Sequence, residues 1–132
     1  MSVIQDKSLL DAQVQTKRIY HLLSEVMDIS EQLAEALDRD DRVTVQMLVD
    51  MRAEPIRKLQ VVRQALREQV AGLDGAAGER MSALLRGESA SNPEEAPLEA
   101  QVASNQRLLK RVLELDERLN RRLTGDKSIY NR

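Results

Sequence analysis

The chain has 132 residues, of which 42% are hydrophobic, 32% charged and 2% aromatic, with a formal net charge of −2. That length and apolar share fit one domain with a core, while the mildly acidic balance lacks the electrostatic footprint of a nucleic-acid binder. Tyr20 and Tyr130 are the only aromatic residues and there is no Phe, Trp or Cys, which removes the stacking platforms of single-strand binders, a disulfide framework and thiolate chemistry.

A core restricted to Leu, Val, Ile, Met and Ala suits helix seams better than sheets, which lean on aromatic and β-branched residues and on frequent turns. The first helix is predicted from about Asp6 to Asp38. Leu9, Ala12, Thr16, Ile19, Leu23, Val26, Ser30, Leu33 and Leu37 alternate steps of three and four, as in a coiled-coil-like seam. Leu10, Tyr20, Leu22, Met27, Ile29 and Ala34 widen that stripe, so the helix is expected to touch more than one neighbour. Thr16 and Ser30 dilute the seam, and hydroxyls there are expected to bond within their own helix. The charged residues Asp6, Lys7 and Asp11 leave no apolar signal-peptide core in these first turns. Nowhere does an apolar run approach 18 residues, the signature of a spanning helix. The expectation is a cytoplasmic protein without membrane insertion.

Asp38, Arg39, Asp40 and Asp41 interrupt the pattern. Three acids in four residues invite a metal-site reading, but aspartate here has a simpler use as the cap of the following helix, complementing its dipole. A short turn then folds the second helix back antiparallel on the first. That helix runs from about Arg42 to Ala71 with Val45, Leu48, Met51, Leu59, Val62, Leu66 and Val70 along one side. Pro55 lies in its middle, lacking an N–H and crowding the carbonyl of Met51, at a cost of about 3 kcal/mol in a regular helix. A kink near Arg52 to Pro55, or two helices meeting there, is expected.

Gly72, Gly75 and Gly78 close the second helix and open a looser stretch, with a short helix of two or three turns carrying Met81, Leu84 and Leu85 between Gly78 and Gly87. Residues 87–97 are polar and contain Pro93 and Pro97, the composition of a mobile linker. Within it, Asn92, Pro93 and Glu95 also have the form of a helix start, so the boundary of the last helix falls between Pro93 and Leu98. From there Leu98, Val102, Leu108, Leu109, Val112, Leu115, Leu119 and Leu123 form the apolar stripe of an amphipathic helix about 45 Å long. Gly125 is a natural stop for it, leaving residues 126–132 as a tail with Ile129 and Tyr130.

No catalytic constellation is visible, and the chain reads as a non-enzyme without metal or cofactor. His21 is the only histidine and lies off the seam. A single exposed histidine on a helical bundle is similar to a histidine-phosphotransfer domain, whose motif runs near His-x-Leu-Lys-Gly-Ser. Here His21 is followed by Leu22, Leu23, Ser24 and Glu25, and an acid beside an incoming phosphoryl group opposes transfer. Di-metal bundles need Glu-x-x-His pairs from different helices, and a serine nucleophile would find only His21 as base. Arg107, Lys110, Arg111, Arg118, Arg121 and Arg122 make a basic face on the last helix suited to an acidic partner helix, or simply solvated. Met27, Met47, Met51 and Met81 are either core filler or an adaptable binding surface.

The run Leu33-Ala34-Glu35-Ala36-Leu37-Asp38-Arg39-Asp40-Asp41-Arg42, continuing through Val45, Leu48 and Arg52 to Ile56 and Leu59, resembles the helical hairpin of bacterial flagellar export chaperones of the FlgN and FliT kind. The closing stretch from Asn105 through Val112 to Ser128, Ile129 and Tyr130 is similar to the C-terminal helix and tyrosine-bearing tail of part of that group. The resemblance implies a cytoplasmic type III export chaperone that holds a secreted flagellar subunit, such as a hook-associated or cap protein, and delivers it to the export apparatus. It implies cargo binding by Leu108, Leu109, Val112, Leu115, Leu119 and Leu123, and contact with the export apparatus by Tyr130. The expected fold is an all-α, elongated antiparallel bundle of three long helices, with room for a short fourth, over residues 1–125. The alternative is a generic coiled-coil adaptor or homodimeric structural protein without a secretion role.

Overall fold

The protein, seen in a computed structural model that describes residues 2–130 and their side chains through Thr124, is an all-α bundle. Helix α1 spans Asp6–Asp38, α2 Arg42–Ala71, α3 Gly75–Arg86 and α4 Ala96–Tyr130. The first two have the bounds their periodicity predicts. At the usual rise, α1 is about 50 Å long, and everything else is arranged along it.

Three tiers of buried side chains run the length of α1. In the first, Ile4, Leu9 and Ala12 meet Leu98 and Val102 of α4 and Ala77, Met81 and Leu84 of α3. Ile19, Leu23 and Val26 meet Leu59 of α2 and Leu108 and Val112 of α4 in the second. The third joins Ile29, Leu33 and Ala36 to Leu48 of α2 and to Leu115 and Leu119 of α4. Residue numbers on α2 fall from tier to tier while those on α4 rise. Thus α2 runs antiparallel to α1, and α4 returns parallel to it.

Two polar positions of the α1 seam fix this register. Thr16 is buried, and its hydroxyl donates to its own helix at the Ala12 carbonyl, 2.9 Å away. Its carbonyl accepts from Asn105 Nδ2 of α4 at 2.8 Å. Ser30, fully buried, departs from the expectation of a bond within its own helix, because its hydroxyl accepts from Arg52 Nε of α2 at 3.0 Å. The same guanidinium pairs with Asp116 of α4. Sliding any helix by a turn would strand these groups without partners, at a cost no apolar seam of interchangeable leucines imposes.

Helix α2 continues without interruption through Pro55, so the expected division into two helices does not occur. Pro55 is itself buried, its ring used as core surface. Helix α3 begins earlier than the glycines suggest. Asp74 caps it, accepting from the Ala77 amide at 3.1 Å, and both Gly75 and Gly78 lie inside it. It ends at Gly87, whose φ of 106° is left-handed and favours glycine.

Within the 87–97 stretch, Glu95 is buried and collects the surrounding chain. Arg80 Nη2 donates to it at 2.7 Å, the Ser2 hydroxyl at 2.6 Å and the Ser91 amide at 3.0 Å. Asn92 Oδ1 accepts from the Glu95 amide at 3.1 Å, as a capping side chain does, and the regular helix starts at Ala96. At its far end α4 does not stop at Gly125. Its backbone stays helical to Tyr130, which corrects the expected stop. The glycine is followed by five residues with no proline or left-handed turn to end the hydrogen-bond ladder.

Candidate helix-docking groove

The apolar row assigned to cargo binding is mostly core. Leu108, Val112, Leu115 and Leu119 are buried against α1, Leu109 and Leu123 are half-buried, and Tyr130 lies outside the described side chains. A partner helix reaches the first four only by displacing part of the bundle. Leu113, which the stripe omitted, is by contrast 56% exposed.

Apolar surface is left uncovered elsewhere. Helices α2 and α4 each pack along α1, but among the described residues no Cα of α2 comes within 8 Å of a Cα of α4. Packed helices lie about 8–10 Å apart axis to axis, with closer Cα pairs where they cross. The two outer helices are not in close backbone contact, and a recessed groove floored by α1 lies between them. Its middle is bridged by Arg52 and Asp116, and α3 closes it toward the end of α2. Between these stops lies a recess of about 190 Å³ that includes Ile19 and Leu23 on the floor, Arg63 and Leu66 on α2, Leu85 on α3 and Leu109 on α4. A second recess, of about 540 Å³, opens from it between α2 and α3 and shares Arg63, Leu66 and Leu85.

Helix geometry explains the half-covered lining. On α4, Leu109 and Leu113 are one turn apart and Asp116 continues the same side toward α2. On α2, Arg52, Ile56, Arg63 and Arg67 lie on the side facing α4, with Ile56 and Leu66 half-buried. Only Leu48, Pro55 and Leu59 are buried among the 30 residues of α2. The apolar pattern is thus mostly buried on α4, with Leu109, Leu113 and Leu123 the exceptions, and half used on α2.

The other singled-out residues fall apart in space. His21 is exposed, its ring edge-on to Tyr20 with centroids 6.0 Å apart. Of the acids in the first turn, Asp38 pairs with Arg122 at 2.7 Å and Asp40 with Arg42 at 3.8 Å. Asp41 caps α2, accepting from the Thr44 hydroxyl at 2.7 Å and its amide at 3.1 Å. Those two bonds, the hydroxyl's first, hold the Asp41 carboxyl below the usual range. The methionines divide: Met81 is core and Met27 half-buried, while Met47 and Met51 are exposed on α2. Among the described residues the basic side chains of α4 are exposed, with Arg122 paired to Asp38 and Arg121 to Glu117.

Glu95 has the largest electrostatic perturbation. The Arg80 guanidinium holds its carboxyl down from 4.5 to about 2 against the opposing effect of burial, with the Ser2 and Ser91 bonds adding to the pull. Arg80 is raised in turn by the same bond. This pair locks α3 to the start of α4, and so fixes the closed end of the groove. Sequence reasoning placed Glu95 only as a helix-start residue. The signal for more was the Asn-Pro-x-Glu pattern combined with Arg80 in the middle of α3.

The fold and groove define a class, an all-α bundle with an apolar recess between its two outer helices. No family model matches the chain, and no curated protein or solved structure is significantly similar to it.

Proposed function

We propose that the protein is a helix-binding chaperone that shelters an amphipathic helix of a client in the groove between α2 and α4. The observation that carries this reading is the recess between those helices, in which Leu66, Leu85 and Leu109 are only partly covered, with Leu113 exposed one turn beyond. A client helix laid there gives apolar contacts to surfaces the chain itself leaves unmatched, the usual economy of helix-in-groove recognition. The hairpin's resemblance to flagellar export chaperones supplies the finer proposal: a cytoplasmic protein whose client is a secreted hook-associated or cap subunit, handed on to the export apparatus with the C-terminal tail and Tyr130 as the contact. The groove supports that reading in a form altered from the sequence expectation, since Leu109 is offered to the client while Leu108, Val112, Leu115 and Leu119 support the wall behind it.

Co-expression with a candidate subunit and size-exclusion chromatography tests it. The wild-type chain is expected to hold the subunit in a stable complex, and Leu109→Asp with Leu113→Asp to fold with unchanged helicity yet release it. A folded double variant that retains the subunit as well as wild type removes the groove from the mechanism.

A second reading, the homodimeric adaptor, is favoured by one feature on the other side of α2. Val43, Met47 and Met51 recur one turn apart and are 82%, 52% and 49% exposed. Light scattering at rising concentration distinguishes it: a dimer that Met47→Glu with Met51→Glu dissolves supports the adaptor, and a monomer throughout excludes it.

A further inference from the structure

We propose that the groove selects its occupant by charge, taking a helix whose apolar ridge is flanked by carboxylates that seat against Arg63, Arg67 and Arg86. The inference rests on the helix-binding reading and adds the chemistry of the partner. The larger recess is walled by these three arginines around Leu66, Val70 and Leu85, and no Asp or Glu lines it or its smaller neighbour. The chain as a whole carries a net charge of −2, so this local excess of cations runs against its overall balance.

The arginines are also open to exchange partners. Arg63 and Arg67 stand one helical turn apart, and among the described residues neither has a carboxylate within 4 Å. Arg67 spends its guanidinium on the neutral Gln64 Oε1, at 2.8 and 3.1 Å. Arg86, on the opposite wall, is paired with Glu88 at 3.2 Å with both side chains mostly exposed, an interaction easily traded for another carboxylate. Carboxylates a turn apart on an incoming helix match the spacing of Arg63 and Arg67.

The walls decide the secondary structure of the guest. Helices α2, α3 and α4 satisfy their own backbone groups along the groove, so an extended peptide would enter with its amides and carbonyls unmatched. A helix brings its hydrogen bonds with it. A single-stranded nucleic acid would find the cations but no aromatic ring to stack on among the lining residues.

The test uses two fluorescently labelled synthetic helical peptides with one leucine ridge, flanked in the first by Glu and in the second by Lys, with fluorescence anisotropy as readout. The Glu peptide is expected to bind about tenfold tighter to the full chain, as a few rim pairs together supply, with the margin shrinking as salt rises. Arg63→Glu with Arg67→Glu is expected to invert the preference and Arg63→Gln with Arg67→Gln to abolish it, both with the wild-type helical signal and melting temperature. Equal binding of the two peptides, a preference that survives the Glu double variant, or tighter binding of a single-stranded oligonucleotide than of the Glu peptide overturns the proposal. Should the flagellar subunit bind while neither peptide does, the charge rule falls and the chaperone reading stands. Charge inversion without any subunit complex leaves the charge rule standing and removes the flagellar client.

Discussion

Helices α2 and α4 flank the same central helix, are of similar length and carry similar apolar spacing, yet they are used differently. Along α4 the residues Leu98, Val102, Leu108, Val112, Leu115 and Leu119 are all buried. Along α2 only Leu48, Pro55 and Leu59 are, and Val43, Met47, Val49, Met51 and Val61 are exposed. Helix α4 gains its extra cover at its N-terminal end, where Leu98 and Val102 join the α3 residues Met81 and Leu84. An amphipathic stripe therefore does not declare whether it faces its own chain or a partner. That depends on how many neighbours the topology brings to it.

The largest effects are expected where this contrast is sharpest. Leu119→Ala, at a position 2% exposed, is expected to cost about 2–5 kcal/mol by lost burial and the cavity left behind. Val61→Ala on α2, 69% exposed, is expected to stay within about 0.5 kcal/mol. Urea denaturation followed by helical circular dichroism measures both, and comparable losses at the two sites would erase the distinction between the helices. Placing acids in the row, as in Val112→Asp with Leu119→Asp, is expected to unfold the chain, so that pair tests the core and not the proposed binding face.

Next in size is the lock at the closed end. Glu95 has its folded pKa lowered to about 2 from 4.5, so its contribution is fully present above pH 4.5 and is lost as pH falls toward 2. The difference of more than two units corresponds to about 3 kcal/mol. Glu95→Gln is expected to lower stability at pH 7 by about that amount and to flatten the fall in stability between pH 4.5 and 2. An unchanged acid limb in the variant would mean that other carboxylates drive it.

The bounds of α1 and α2 were legible because an unbroken three-and-four spacing and an aspartate cap are local signals. So was the inward face of α1, from Leu9 to Leu33. At Pro55 the expected division into two helices fails because the cost of a proline is local while its compensation, burial of the ring, is not. Gly75 and Gly78 hid the first turn of α3 for a similar reason: poor helix formers, they are held by the Asp74 cap and by packing of Ala77 and Met81. The groove was out of reach altogether. It is an absence of approach between two helices, and no residue on either one encodes it alone. Ser30 shows the same limit at one side chain, since the arginine it serves lies 22 positions away.

The bridge across the groove gives a smaller effect. Arg52 and Asp116 are partly exposed, with 19% and 29% of their side chains accessible, so solvent screening reduces the value of the pair to about 1 kcal/mol. Arg52→Met keeps most of the aliphatic packing and removes both the ion pair and the bond to Ser30. Hydrogen exchange is expected to accelerate along the middle of α2 while α4, held by its own tiers, stays protected. Equal acceleration in both would show that the two helices open as one unit and would remove α2 as the more detachable wall.

The smallest expected change falls at Gly87, where α3 ends against α4. Its φ of 106° is one that a side-chain-bearing residue adopts only under strain, and an added Cβ would stand 2.8 Å from the Gln106 amide nitrogen. That amide also donates to the Arg86 carbonyl at 2.9 Å, helping to tie the end of α3 to α4. Because the obstructing atoms are the tip of a flexible side chain, Gln106 can swing aside, and the backbone strain is the larger part of the cost. Gly87→Ala is therefore expected to lose about 1 kcal/mol, with Gly87→Asn, which tolerates the left-handed region better, losing less. If Gln106→Ala alone destabilises as much as Gly87→Ala, the hydrogen bond and not the turn is what holds α3 in place, and the closed end of the groove depends on α4.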